Sequence, residues 1–409
     1  MDLRFEHQCS QCGALIRLFE TERLLQCRFC GVKSYLSSEA PFHFVLPHQA
    51  PPDRELLYVP YLRFRGNVFS CQGNRTDFRF TDITQLGIPF EGLPASLGFR
   101  TQALTLKLLD PATPGTFLRP TLKLTDLLNK VSQLGAQSSQ LPVYHRAHIG
   151  ETTSLVFLPL YRQEDQLFDA VINEPALSLR RDQEINPDLA TPLDGWRLNV
   201  LATVCPVCGW QLEGDKDSVA MVCRNCERVW ETSSGRFALT DHVVVPDIGG
   251  EKTHLPFWKI TATATGVPIK TFADFIRATH QPRVPLPEWE ELPMSFWCPA
   301  FKIRPKIFLQ LLRTATLAQP SYRQSERFRQ KPLFPVTLPS SEAVQTLKVT
   351  LADLSLKKKD IFPLLPKVRF NVVKTTLVYL AFRDTGHELI QPCSQIVINK
   401  NSLDFGRKL

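Results

Sequence analysis

Short stretches of alternating hydrophobic and polar residues dominate the chain, and this two-residue period predicts β-strands. The clearest examples lie near the cysteines, where such stretches flank polar turns at 20–22 and 214–216. The strands predicted in these two regions are 14–19, 23–26, 32–36, 210–212, 218–222 and 229–232. The composition, with 32 prolines, 27 phenylalanines and only 19 glycines, fits aromatic-filled β-structure with many short connections.

Four other segments repeat their hydrophobic residues every three to four positions, which predicts amphipathic helices. These segments are 122–134, 270–279, 305–317 and 341–354. Pro305 suits a first helical turn, because the backbone N–H groups of that turn have no partner within the helix. Together with the strands, these helices predict a β-rich α+β fold.

Eight of the eleven cysteines form four Cys-x-x-Cys pairs. Because the first residues are charged and contain no apolar signal segment, these pairs indicate metal ligands rather than disulfides. In each half, 14 residues separate two pairs, which is enough for a hairpin that brings four thiolates to one ion. The two predicted ligand sets are Cys9, Cys12, Cys27 and Cys30, and Cys205, Cys208, Cys223 and Cys226.

Glycine follows three of the four pairs, at Gly13, Gly31 and Gly209, whereas Glu227 follows the fourth. Glycine accepts the positive φ of such a turn without a Cβ clash. Both segments resemble the zinc ribbons of transcription, replication and ribosomal proteins. The resemblance implies a three-stranded ribbon around one structural Zn²⁺ in each segment. The run that begins at Cys205 is also similar to a rubredoxin knuckle, which keeps iron as an alternative metal.

The two cysteine sets lie in register with each other. Every cysteine of the second set follows its counterpart by 196 positions, and the same offset relates Arg28 to Arg224 and Pro60 to Pro256. An ungapped register from residue 9 to residue 64 predicts two tandem duplicated units.

Later segments match with larger offsets, which indicates insertions in the second unit, including the basic stretch 321–333. The matches are 98–100 with 300–302, 155–159 with 377–381, and 171–173 with 397–399. Coincidental β-patterning is the alternative for these later matches.

The repeat predicts five parts, in which each ribbon is followed by a body of antiparallel strands and short helices. They are a first ribbon (1–40), its β-rich body (41–186), a linker (187–199), a second ribbon (200–240) and a second β-rich body (241–409).

The net charge of +8 permits binding to nucleic acid or to an acidic partner but requires neither. No window contains about 18 uninterrupted apolar residues, so we expect no membrane span. Without a signal segment, the expected location is the cytoplasm.

Three cysteines and two of the nine histidines, all outside the ligand sets, are further candidate residues. We expect Cys71, Cys298 and Cys393 to be buried as small apolar residues rather than to form a third metal site. His145 and His148 suit a ligand pair or a phosphate contact. A packing role is favoured, since no cysteine lies near them in the sequence.

Basic and aromatic residues interleave in 61–65, 78–80 and 322–331, a pattern that can stack bases and neutralise phosphates. For the first two segments, half-buried strands with outward arginines are the favoured explanation. The third is the best basic patch, and its candidate nucleic-acid contacts are Arg323, Arg327, Arg329 and Lys331.

The sequence contains no phosphate-binding loop, dinucleotide fingerprint, nucleophile elbow or HExxH motif. With two closed metal sites and no catalytic motif, we expect a non-enzymatic scaffold or adaptor that binds protein partners within a larger assembly, without a small-molecule substrate. The alternative is a nucleic-acid-binding protein of the replication or transcription type. An enzyme with its site between the units is a third possibility.

Overall fold

The structure is a computed structural model, and it describes residues 3–110, 112–133, 141–178, 196, 198–233, 235–246, 252–322, 325–394 and 396–407. Most of the linker predicted at 187–199 lies outside these residues. No helix in these ranges combines the length and the apolar character that crossing a membrane requires.

The elements of the described residues are mainly strands, as predicted. The strands are β1 (Arg4–Gln8), β2 (Leu15–Phe19), β3 (Leu24–Gln26), β4 (Lys33–Ser37), β5 (Phe42–Val45), β6 (Leu56–Gln72), β7 (Arg75–Leu86), β8 (Thr105–Leu108), β9 (Thr116–Phe117), β10 (Val143–Gln163), β11 (Gln166–Asp169), β12 (Glu174–Ser178), β13 (Asn199–Ala202), β14 (Ala220–Cys223), β15 (Arg228–Ser233), β16 (Arg236–Thr240), β17 (His242–Val244), β18 (Lys252–Thr265), β19 (Ser295–Pro299), β20 (Arg369–Asp384), β21 (Glu388–Ile390) and β22 (Val397–Asn399). The helices are α1 (Arg100–Ala103), α2 (Leu124–Gln133), α3 (Phe272–Ala278), α4 (Pro287–Glu291), α5 (Pro305–Ala318), α6 (Ser340–Leu354), α7 (Lys358–Ile361) and α8 (Lys400–Gly406).

Most strands belong to two large sheets, one in each half of the chain. The first has the order β12-β11-β10-β5-β8-β1-β2, with β6 pairing to β10, β7 and β9. The second has the order β19-β18-β20-β21-β22, with β17 pairing to β20. Two small sheets, β13-β4-β3 and β14-β15-β16, lie near the cysteines. Several sheets with helices between them confirm the predicted β-rich α+β class.

The four predicted helices correspond to α2, α3, α5 and α6. Pro305 occupies the first turn of α5. Thr271 caps α3, because its side chain accepts a hydrogen bond from the Asp274 N–H while the Asp274 side chain accepts one from the Thr271 N–H.

One long antiparallel strand pair organises each half. In the first half β6 pairs with β10, with Pro60 opposite Phe157; in the second, β18 pairs with β20, with Pro256 opposite Tyr379. A short strand that precedes the long pair in the chain lies parallel to the second long strand, β5 beside β10 and β17 beside β20. A hairpin follows in both cases, β11–β12 in the first half and β21–β22 in the second.

The predicted match between 171–173 and 397–399 is wrong. Residues 171–173 form a turn, whereas Val397–Asn399 is strand β22. Within the hairpins, Leu177 of β12 lies opposite Leu167, as Ile398 of β22 lies opposite Leu389. The strand in the position of β22 is therefore β12, which follows the turn.

The strands around the cysteines do not form two self-contained three-stranded sheets. The hairpin β1–β2 joins the large sheet, because β1 also pairs in parallel with β8. Strands β3 and β4 instead form a sheet with β13. In the second half, the strand predicted at 210–212 is reduced to isolated bridges, Gln211 to Val204 and Glu213 to Val222.

Two large hydrophobic cores support this architecture. The first, which includes Tyr61 and Phe157, is built from residues of the first half and Trp196. The second surrounds Trp258 and also contains Phe69 and Ile149 from the first half. The far ends of β6 and β10 therefore share a core with the helices of the second half.

Candidate metal centres

The first cysteine set is assembled from two turns, one after β1 and one after β3. The Cys9 and Cys30 sulfurs lie 3.7 Å apart, and those of Cys12 and Cys27 lie 3.6 Å apart. All four sulfurs lie within 4.8 Å of one another. An ion with four sulfurs at 2.3 Å in a tetrahedron separates them by about 3.8 Å. The cluster therefore has the dimensions of a tetrahedral thiolate site.

The second set repeats this geometry, with Cys205 and Cys208 before β14, Cys223 at its last position and Cys226 after it. The Cys205 and Cys226 sulfurs are 3.6 Å apart, the Cys208 and Cys223 sulfurs are 3.4 Å apart, and all four lie within 4.8 Å of one another. Both predicted ligand sets are therefore brought together. Each can hold one metal ion, and four cysteines complete its coordination.

The turn after each pair adopts the conformation that the sequence predicts. Gly13, Gly31 and Gly209 have φ of 73°, 74° and 72°. Glu227 occupies the fourth position with φ of 54°. The backbone thus keeps the same turn even where a side chain strains it.

Backbone N–H groups near the sulfurs favour thiolates. The N–H groups of Cys30 and Phe29 lower the pKa of the Cys27 thiol to about 6. The N–H of Trp210 has the same effect on Cys208, whose pKa is also lowered to about 6. One thiol of each set thus favours the thiolate, the form that binds metal. Despite a hydrogen bond from the Ala14 N–H, neighbouring thiols raise the pKa of Cys12 to about 12, and burial raises the pKa of Cys226 to about 12.

The two cysteine regions pack against each other. We call residues 9–37 module 1 and residues 205–233 module 2. One hydrophobic cluster contains Leu24 and Tyr35 of module 1 together with Leu212, Met221 and Trp230 of module 2. Cys205 and Cys223 belong to the same cluster, so the second metal site borders directly on this interface.

Backbone hydrogen bonds also connect the modules. The N–H groups of Arg23 and Leu24 both donate to the Lys216 carbonyl oxygen, at 2.7 and 3.0 Å. Strand β13, which leads into module 2, pairs with β4 of module 1, with Leu201 opposite Tyr35. On module 2, the corresponding edge of β15 is covered by β16. The start of the second half thus completes the small sheet of the first.

The three cysteines outside the clusters do not form a further metal-binding group among the described residues. Cys71 and Cys298 are buried, as expected, and burial raises the pKa of both thiols, that of Cys71 to about 12. Cys393 is exposed, so the expectation of burial is wrong for this residue. Within the described ranges, the two tetracysteine sets are the groups whose geometry suits a metal ion.

His145 and His148 lie on β10 and do not converge on a third ligand among the described residues. Burial lowers the pKa of both rings, that of His145 to about 4. His148 packs edge-on against Phe64. This arrangement agrees with a packing role for both histidines.

The basic stretch packs beside module 2. Arg323 lies outside the described residues. The side chain of Arg327 is 93% exposed and lies 3.8 Å from the Glu227 carboxylate, which also accepts a hydrogen bond from the Arg329 N–H at 3.0 Å. Lys331 pairs with Glu326. Acidic groups of the same chain thus lie against this stretch.

The same stretch covers module 2 through its backbone. Arg224 donates to the carbonyl oxygens of Phe328 and Lys331, at 2.7 and 2.8 Å, and Phe328 is buried. A structural role for 325–331 is therefore evident in these contacts.

A groove beside module 1 was not predicted from the sequence. Its walls include the exposed side chains of Leu15, Phe19 and Phe29. Phe29 lies between the ligands Cys27 and Cys30, and an exposed aromatic ring at this position has no role in coordination. This position is the one feature of the sequence that indicates a binding surface here.

No family model, curated protein or solved structure matches the chain.

Proposed function

We propose that the chain is a non-enzymatic adaptor that holds two zinc-bearing units together and presents their joint surface to protein partners. The observation that carries this proposal is the direct packing of modules 1 and 2, which share a hydrophobic cluster and the strand β13. Each metal site is closed by four thiolates, which leaves no coordination position for a substrate or a reactive water.

Zinc is the proposed metal for both sites. Four cysteines at tetrahedral spacing suit Zn²⁺, and structural Zn²⁺ contributes roughly 10–16 kcal/mol of binding free energy to small domains at neutral pH. Iron bound to four thiolates is the competing assignment, and it absorbs visible light. Elemental analysis of purified chain should find two zinc equivalents and no visible absorption band, whereas a coloured, iron-rich chain would reverse the assignment.

A duplication is the proposed origin of the two units. The offset of 196 relates Leu62 to Trp258, and the offset of 222 relates Leu155 to Leu377. Leu62 lies opposite Leu155, and Trp258 lies opposite Leu377. Two segment matches found independently in the sequence thus pair with the same register, which supports an ancestral unit of ribbon, long strand pair and closing hairpin.

The adaptor proposal is tested by the size of the complex in which the chain occurs. Tagged chain in gentle extracts should migrate well above its own mass of 46.5 kDa and should crosslink to defined protein partners. The matched control carries Cys12→Ser and Cys208→Ser, which removes one ligand from each site and should release the partners. A chain that migrates as a monomer and crosslinks to nothing would overturn the proposal.

Nucleic-acid binding is the second candidate, and the exposed Arg327 side chain is the observation that favours it. If phosphate contacts carry binding, log affinity for duplex DNA should fall by about 0.9 for each contact per log unit of salt. Charge reversal at Arg327, Arg329 and Lys331 should then abolish binding. A flat salt response would remove this candidate.

A further inference from the structure

A groove of about 1270 Å³ lies beside module 1. It is lined by the edge strand β2, by β3 and the turn after it, and by residues 214–217 of module 2. Leu15 is 60% exposed, Phe19 43% and Phe29 80%. Three large apolar side chains that reach solvent in one concave surface are typical of an interaction site.

Strand β2 forms the edge of the large sheet, since among the described residues it pairs only with β1. The hydrogen bond from the Glu20 N–H to the Leu3 carbonyl fixes which residues of β2 point toward β1. By this alternation, the N–H and C=O groups of Leu15 and Arg17 point away from β1. Those of Phe19 do so too, but they bond to Glu22 in the turn. Leu15 and Arg17 therefore offer two adjacent sets of backbone groups to an added strand.

Among the described residues, the acidic side chains around the groove all form ion pairs, whereas two of its basic side chains do not. Each acidic side chain has a cationic partner, because Glu6 pairs with Arg17, Glu22 with Lys216, and both Asp215 and Asp217 with Arg407. Because Asp215 and Asp217 share Arg407, the five basic and four acidic side chains of the groove leave a net charge of +1. Within the part of the chain that the structure describes, the two cations of the groove without an ion pair are Arg28 and Lys33.

We propose that this groove binds an extended, acidic segment of a protein partner by adding it as a strand to β2. The inference rests on the proposed adaptor function and names the kind of partner. Apolar side chains at alternate positions of the segment pack on Leu15, Phe19 and Phe29. Aspartate or glutamate side chains between them meet Arg28 and Lys33. The backbone of the segment bonds to Leu15 and Arg17.

The variant Arg17→Pro distinguishes strand addition from other modes of binding. In Arg17→Pro the lost N–H faces the open edge and not β1, so the hairpin keeps its own hydrogen bonds while the donor for an added strand is removed. Arg17→Ala is the matched control, since it loses the same charge as the proline variant but keeps the backbone N–H. Zinc content and thermal unfolding are measured for both variants to show that they fold.

The probe is a library of random heptapeptides displayed on phage and selected on the intact, zinc-loaded chain. We expect enrichment of peptides in which apolar residues alternate with Asp or Glu. The enriched peptides, made synthetically, should bind Arg17→Pro at least tenfold more weakly than they bind Arg17→Ala. Charge reversal at both Arg28 and Lys33 should weaken binding by about tenfold and favour basic peptides.

The inference is overturned if no peptide is enriched, if enriched peptides lack the alternation, or if Arg17→Pro binds them unchanged. It is also overturned if single-stranded oligothymidine, but no peptide, binds in a way that depends on Arg28 and Phe29, or if the groove pairs two copies of this chain. Partner capture that survives Arg17→Pro would refute the groove but leave the adaptor proposal intact. Peptide binding by a chain that is monomeric in extracts would support the groove but refute the adaptor proposal.

Discussion

The hydroxyl group of Tyr35 donates a hydrogen bond to the carbonyl oxygen of Ser218, at 3.0 Å, and so joins module 1 to module 2. Tyr35 is only 2% exposed, and its hydroxyl also lies 3.1 Å from the Thr232 hydroxyl. A buried side chain of one module thus satisfies backbone of the other. We infer that the modules behave as one cooperative unit rather than as two independent metal-binding domains.

Tyr35→Phe should therefore weaken the junction between the modules. The substitution keeps the ring but leaves the buried Ser218 carbonyl without this donor, at a cost of about 1–2 kcal/mol. Urea unfolding should show this loss, and amide exchange should accelerate in β13 and module 2. The control is Tyr61→Phe, which removes a hydrogen bond to Pro94 inside the first half. A similar loss of stability without faster exchange in module 2 is expected for this control.

Removal of one metal should affect both modules. Cys12→Ser and Cys208→Ser should each reduce the bound metal to one equivalent, because each takes a ligand from a closed site. Since β13 links the sites, each variant should also lower the temperature at which the remaining metal is released. Cys393→Ser is the control, because Cys393 is exposed and outside both clusters, and it should retain two equivalents. If the metal that remains in each variant leaves at the same temperature as it leaves the original chain, the modules are independent.

The features that could be predicted from the sequence depend on short-range spacing. The ligand clusters follow from four local Cys-x-x-Cys turns, and α5 follows from a period of 3.6 residues behind Pro305. At position 227 the sequence has glutamate in place of the glycine that follows the other three pairs, and the structure shows the same turn with a φ of 54°. The positive φ of this turn is therefore kept even though the residue is not glycine.

The features that escaped prediction depend on which strands meet. The offset of 196 places β13 in the position of β1, so the repeat suggests that it pairs within its own module. The structure pairs it with β4 instead, with Leu201 opposite Tyr35. Alternation along 199–202 determines which side chains share a face but not which strand lies beside them. The groove escaped for the same reason, because its walls come from β2, β3 and the loop around Lys216.

Arg63 should be among the side chains whose loss destabilises the fold most. It is fully buried, contacts Glu20 through Nη1, and donates to Asp82 through Nε and Nη2, both at 3.0 Å. Arg63→Met would leave the buried Glu20 carboxylate without its cation, at a cost of about 3–5 kcal/mol. Chemical denaturation measures this loss. The double variant with Glu20→Gln should recover part of it, whereas Arg17→Met, at an exposed pair, should cost below about 1 kcal/mol.

The contact between Glu342 and Gly150 should make stability depend on pH. Glu342, in the first turn of α6, accepts a hydrogen bond from the Gly150 N–H, and burial raises the pKa of its carboxyl to about 7, although Lys302 opposes this shift. Burial also raises the pKa of the neighbouring Glu151 to about 7.

A carboxyl whose pKa is higher in the folded state binds its proton more tightly there than in the unfolded chain. The stability that Glu342 contributes is therefore complete below pH 4.5, its ordinary pKa, and is lost as the pH rises toward 7. The slope from this group is at most about 1.4 kcal/mol per pH unit. Glu342→Gln keeps an acceptor for Gly150 but cannot ionise, so the variant should gain stability relative to the original chain between pH 5 and 7. Urea unfolding at several pH values measures this difference, and a difference that stays constant with pH would show that Glu342 remains ionised in the fold.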